Sequence, residues 1–103
     1  MNYKETPNRK VFNIDFDGTL TDGQYIDNPP PNIVMIERVT KLYTSGHVII
    51  IWTARHWYQA PFLVSWLIKH SVPFHGVMMS KGGSDYYVDD KMISFENLFD
   101  KEF

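Results

Sequence analysis

Hydrophobic and polar positions change period several times along this chain, and each change marks an element. Residues 11–16, VFNIDF, mix β-branched and aromatic types and predict a first strand. The stretch 18–31, GTLTDGQYIDNPPP, is polar, carries a turn signal at each glycine, and predicts a loop. Its three prolines end any strand and suit the first turn of a helix. Apolar residues then recur at Ile33, Ile36, Val39 and Tyr43, with Met35 and Leu42 beside them. That is helical spacing, and Gly46 is a natural stop. VIIIW, 48–52, is apolar without alternation and predicts a parallel strand covered on both faces. APFLVSWLIKHS, 60–71, predicts a second helix with Pro61 near its start and Pro73 just past its end. GVMM, 76–79, and YYVD, 86–89, are short strand candidates, and SFENLF, 94–99, suits a last short helix capped by Ser94. Strand, helix, strand, helix, strand in this order predicts an α/β domain with a mainly parallel sheet.

Length and composition narrow the picture. The 103 residues suffice for one domain, 1–103, with one modest core, and residues 1–10 read as a loose lead-in. The formal net charge is −2 with Lys and Arg scattered, so no basic face recommends nucleic acid. No apolar run reaches the roughly 20 residues that span a bilayer, and the polar N-terminus lacks a signal-peptide stretch. Cysteine is absent, which removes disulfides and thiolate metal sites. The expectation is a soluble cytoplasmic protein. Aromatic content of 16% suits a small core of large side chains, or an apolar surface used for self-association.

The candidate chemistry sits at strand ends. Ligands of open parallel sheets bind outside the carboxyl ends of the strands. The first strand runs into Asp15 and Asp17, the second into Thr53, Ala54 and Arg55, and the last into Asp89 and Asp90. If these strands are parallel and adjacent, the acids converge. Four carboxylates in one spot repel and need a cation, and an all-oxygen set suits Mg²⁺. Magnesium takes only one or two carboxylates and leaves positions open for a phosphate oxygen. Asp22 and Asp27 lie in the polar loop, where turn formation explains them as well as ligation does.

IDFDGTLTDG resembles the first motif of the haloacid dehalogenase-like phosphohydrolases, two aspartates one residue apart followed by Gly-Thr-Leu-Thr. IIIWTAR resembles their second motif, and SKGGSDYYVDDK their third and fourth, a lysine and a pair of acids. The matches span about residues 11–91, and the combination of LYTSGHVIIIWTAR, a Trp-Leu helix and a short lysine-to-VDDK stretch resembles the small capless members associated with capsule or polysaccharide biosynthesis. Those members usually carry proline after the motif lysine, where this chain has Gly82. The resemblance implies a three-layer Rossmann-like, capless fold and a Mg²⁺-dependent phosphatase. Asp15 would be the nucleophile that forms an aspartyl-phosphate, and Asp17 the general acid and then base. Asp15, the Asp17 carbonyl and one of Asp89 and Asp90 would hold the metal. Gly18, Thr53, Ala54, Arg55 and His56 would meet substrate, and a lysine would balance charge. Matching the motif's end favours Asp90 as ligand, with Asp89 kept beside it.

Two features resist the pattern. Lys81 and Asp89 are both expected at one sheet edge, yet only residues 82–88 join them, and a parallel crossover normally needs about a dozen residues or more. GVMM is therefore expected to be a marginal or displaced strand, with Lys91 as the alternative lysine. The loop 18–31 is long enough only for a small flap, so the site should be open. Gln24, Tyr25 and Ile26 in the flap, and Arg55, His56 and Trp57 after Thr53, are candidate substrate contacts. Trp52 and Trp66 are expected in the core, and His47, His70 and His75 in structural or exposed positions. The expected substrate is a small phosphomonoester, a sugar phosphate or a nucleotide, in an open site that a second copy of the chain in a homo-oligomer would close. Alternatives are a phosphatase of nucleic-acid ends or other macromolecules, phosphotransfer to an alcohol, and a non-catalytic protein that binds phosphate or a partner.

Overall fold

The computed structural model describes residues 9–24, 26–81 and 93. Three strands, β1 (Val11–Asp15), β2 (Val48–Trp52) and β3 (Gly76–Met78), form a parallel sheet in the order β1-β2-β3. Helix α1 (Ile33–Thr44) joins the first pair and α2 (Ala60–Lys69) the second. Both crossovers step in the same direction across the sheet, so the right-handed rule puts both helices on one face. The described residues therefore make two layers. The strand and helix expected over 86–89 and 94–99 lie outside them, and the expected third layer is not formed among the described residues.

In-register pairing decides which side chains share a face. Ile14, Ile51 and Val77 form one row, and Asp15, Trp52 and Met78 the next. Successive strand residues alternate faces, so Phe12, Ile14, Ile49 and Ile51 all turn toward the helices. They are buried with Val39 and Leu42 of α1 and with Leu63, Trp66 and Leu67 of α2. Fully burying each such side chain stabilises the fold by about 1.5–3 kcal/mol. The other face of β2, carrying Val48, Ile50 and Trp52, is only half-buried among the described residues. The expectation of a strand covered on both faces is met on one.

Local signals set the element ends. Asn32 caps α1, its Oδ1 accepting the Met35 N–H at 3.1 Å. The prolines come before this cap instead of opening the helix. They line the base of the flap, where Thr21 bridges Pro31 and Asp22 N–H donates to the Pro30 carbonyl at 3.0 Å. At its other end α1 closes on Gly46, with φ of +96°. The His47 and Gly46 N–H groups donate back to the Leu42 and Tyr43 carbonyls, satisfying the last turn. Helix α2 ends at Lys69, two residues earlier than the pattern suggested, because Ser71 adopts φ of +56°.

His47 and His75 are structural, as expected. Each offers Nδ1 to a backbone N–H near the start of a strand, His47 to Lys10 at 3.1 Å and His75 to Ile49 at 3.0 Å. No helix among the described residues is long and apolar enough to cross a membrane.

Candidate active site

The sheet gathers its polar residues at one edge. β1 ends at Asp15, one residue sooner than the pattern predicted, and the chain enters a tight turn. Asp17 has φ −67°, ψ 124° and Gly18 has φ 78°, ψ 1°. These are the central angles of a type II turn, whose third position favours glycine. A Cβ on Gly18 would meet nothing within 4 Å, so the backbone angle, not space, asks for glycine. Asp15 thus ends a strand and Asp17 stands at the corner of a turn, although both were expected along one strand.

Thr21 holds this turn and was not singled out from the sequence. Its buried Oγ1 accepts N–H bonds from Gly18 at 3.1 Å and Gly23 at 3.3 Å. The Gly18 N–H, expected at substrate, is engaged there. Trp66, buried as expected, donates its indole N–H to the carbonyl of buried Pro29 at 2.9 Å and so ties the flap's base to α2.

β2 delivers Thr53, which is buried. Its Oγ1 accepts the Arg55 N–H at 3.1 Å, leaving the hydroxyl proton free to donate. Its carbonyl accepts the Lys81 N–H at 2.9 Å, and the Arg55 carbonyl accepts the Ser80 N–H at 2.7 Å. The segment after β3 is therefore stitched to the segment after β2, and Ser80 makes the bend at φ +59°. GVM, expected to be marginal or displaced, pairs in register with β2 and stands at the edge of the sheet among the described residues. Lys81 lies beside Asp15, its Nζ 2.7 Å from Oδ1, and the path over 82–88 toward Asp89 lies outside the described residues. The ammonium also sits 4.7 Å from the Trp52 ring centroid, and Trp52 is the in-register neighbour of Asp15. Lys91 lies outside the described residues.

The two aspartates are held differently. Lys81 touches Asp15 through one oxygen, and the Asp15 side chain is 41% exposed. Oδ2 has no hydrogen-bond partner among the described residues. Asp17 is gripped by Arg55 through both oxygens, Nε to Oδ2 at 2.9 Å and an Nη to Oδ1 at 2.8 Å. Their side chains are only 11% and 12% exposed. The guanidinium carbon lies 5.3 Å from the ring centroids of both Phe16 and Phe62, which shield it from water.

An open cavity of about 370 Å³ adjoins this pair, lined by Asp17, Ile26, Asp27, Ala54, Arg55, His56 and Gln59. Of the expected contacts, Ala54, Arg55, His56 and Ile26 are here. Gln24 is tied to Asp22 through its side-chain amide at 2.9 Å, Trp57 is exposed and absent from the lining, and Tyr25 lies outside the described residues. Gln59 was not foreseen, and Asp27, for which the sequence left turn and site open, lines the cavity. Gln59 stays near the cavity because its Oε1 accepts the His56 N–H at 3.1 Å.

Among the described residues no group of three or more His, Cys, Asp or Glu could hold a metal ion. Asp15 nevertheless offers an exposed hard oxygen, a donor that suits Mg²⁺, which needs only one or two carboxylates. Asp89 and Asp90 lie outside the described residues.

The fold is shared with solved structures. A structural-genomics target from Vibrio cholerae superposes with a TM-score of 0.77 at 27% identity, over 90% of this chain and 89% of that one. A chain of the Pnkp1/Rnl/Hen1 complex superposes with a TM-score of 0.61 at 20% identity, over 91% of this chain. This chain spans about a third of that protein's length, 34%, and the likeness is one of fold. No family model and no curated protein sequence matches the chain.

Proposed function

We propose that this chain is a phosphatase of the haloacid dehalogenase-like type, acting on a small phosphomonoester with Mg²⁺. The observation that carries the reading is the Asp15–Lys81 pair beside buried Thr53, assembled at the carboxyl edge of a parallel sheet from three separate strand ends. Such an edge is where a parallel sheet presents its ligand site. Lys81 leaves one Asp15 oxygen open, as a nucleophile requires.

The residues divide the work as follows. Oδ2 of Asp15 attacks phosphorus while the ester P–O bond breaks, and Asp17 gives its proton to the departing oxygen. Water then attacks the aspartyl-phosphate as Asp17 takes a proton from it. The acyl-phosphate P–O bond breaks, and the Asp15 carboxylate returns with inorganic phosphate released. The Thr53 hydroxyl and the main chain at Ala54 receive phosphoryl oxygens, and Lys81 balances their charge. Asp15, the Asp17 carbonyl and Asp89 or Asp90 would hold Mg²⁺, which when bound neutralises phosphoryl charge. The cavity past Asp17 takes the leaving group. Its volume suits a sugar or nucleoside.

The test is hydrolysis of an aryl phosphate with and without Mg²⁺. Magnesium-dependent turnover that vanishes in Asp15→Asn supports the reading; turnover that survives in that variant removes it.

A further inference from the structure

Asp17 is seated in a way that conflicts with the role just given to it. A carboxyl that passes a proton needs one oxygen accessible to the departing group. Here a planar fork takes one lone pair on each oxygen, at 2.8 and 2.9 Å, and the pair is nearly buried, which restricts access to the remaining lone pairs. Placing a proton on the side of either oxygen that faces the fork requires the fork to open there. Water is a weak competitor for this guanidinium, since Phe16 and Phe62 flank it. What can compete is a second anion with oxygens spaced like a carboxylate's, and a phosphoryl group has that geometry. Arg55 is also the one Lys or Arg lining the adjoining cavity among the described residues.

We infer that Arg55 is an anion-exchanged latch: it holds Asp17 while the site is empty, and an arriving phosphoryl group draws the guanidinium off Asp17 and frees that carboxylate to take up a proton from solvent, which it then passes to the departing oxygen. The inference rests on the proposed phosphatase reading. The latch makes Asp17 available only when a phosphoryl group is present. It also makes Arg55 a substrate-binding group, and its grip on Asp17 competes with substrate.

The latch and a fixed brace predict opposite kinetics. If Arg55 is a latch, Arg55→Gln raises KM and the inhibition constant of inorganic phosphate by about 10- to 100-fold, the loss expected for a bidentate charged contact, while kcat falls less. Arg55→Lys, which keeps the charge and loses the fork, lies between. If Arg55 only braces Asp17, kcat falls and phosphate inhibition is unchanged, which overturns the latch. A direct readout on the wild-type protein avoids dependence on variant folding. The ¹⁵N–¹H resonance of Arg55 Nε is followed as inorganic phosphate and Mg²⁺ are added. The latch predicts that it moves together with the Thr53 and Ala54 amides, and that Asp17→Asn moves it without phosphate. Movement of those amides with a stationary Arg55 Nε overturns the latch and leaves the phosphate site standing. No movement anywhere at saturating phosphate overturns the phosphate site and the latch with it.

Discussion

Asp15 and Asp17 are separated by one residue, yet the fold treats them as different chemical objects. Asp15 closes a strand, meets a point charge at one oxygen and leaves the other exposed. Asp17 stands on a turn corner, meets a planar fork at both oxygens and is nearly buried. The difference comes from the backbone and from the identity of the cation. An ammonium is compact and binds one oxygen well, whereas a guanidinium presents paired donors that fit a whole carboxylate. The arrangement leaves one acid ready to attack and restrains the other, which suits a site where only one of the two should be an open nucleophile.

The widest separation between the two should come from substitution to the amide. Asp15→Asn is expected to lower turnover by about 10⁴-fold or more for any ester, since it deletes the nucleophile. Asp17→Asn should cost roughly 10²–10⁴-fold on an alkyl phosphate, and clearly less on an aryl phosphate whose leaving oxygen needs no proton. Rates on a matched pair of esters check this. Equal losses on both esters for Asp17→Asn would erase the distinction.

Next in size is the cation on Asp15. Lys81→Met should reduce kcat by roughly 10²–10³-fold, the scale of removing one charge-stabilising donor. The Lys81 ammonium pairs with Asp15 and the Arg55 fork with Asp17, so the Arg55 Nε resonance should stay in place in this variant. A shifted resonance would mean that the two pairs are coupled.

The turn that separates the aspartates depends on Thr21. Thr21→Val removes the buried acceptor of the Gly18 and Gly23 N–H groups, in bonds that are only part-buried. The expected loss is about 0.5–1.5 kcal/mol, read as a lower urea midpoint with an unchanged slope. Full stability would show that the turn holds itself.

The smallest effect is a control at the opposite edge of the sheet. His70 follows α2, and desolvation by burial, aided by the neighbouring Lys69 charge, lowers its pKa from the ordinary 6.5. The unfolded chain therefore binds this proton more readily than the folded one. The stability tied to neutral His70 is complete above pH of about 6.5 and declines as pH falls below that value. His70→Gln should flatten this part of the acid limb of stability measured by urea unfolding. An unchanged limb would assign it to other groups, and activity lost on acidification could then not be separated from stability by this variant.

How much of this was legible in the sequence follows the range of each interaction. VIIIW and the helix ending at Gly46 were readable because local periodicity and one left-handed glycine specify them. Asp15 and Thr53 were readable because a parallel sheet exposes its strand ends. The grip of Arg55 on Asp17 was not, since it joins residues 38 apart and leaves no periodic trace. Lys81 reaches Asp15 through the bend at Ser80 and the bonds of this segment to Thr53 and Arg55, contacts between distant residues that no local pattern announces. Gln59 escaped notice because capping residues also make walls, and for Asp27 the choice between turn and wall needed the path of the folded loop.

The central claim is that Asp15 attacks phosphorus, and trapping the intermediate tests it most directly. The protein would be quenched in acid during turnover of an aryl phosphate with Mg²⁺, reduced with borohydride, digested and mapped by mass spectrometry. An aspartyl-phosphate at position 15 is reduced to homoserine there, and the account predicts that product at Asp15, none at Asp17, and none without substrate. Sustained turnover with Asp15 unmodified, or with the reduced residue elsewhere, would contradict it.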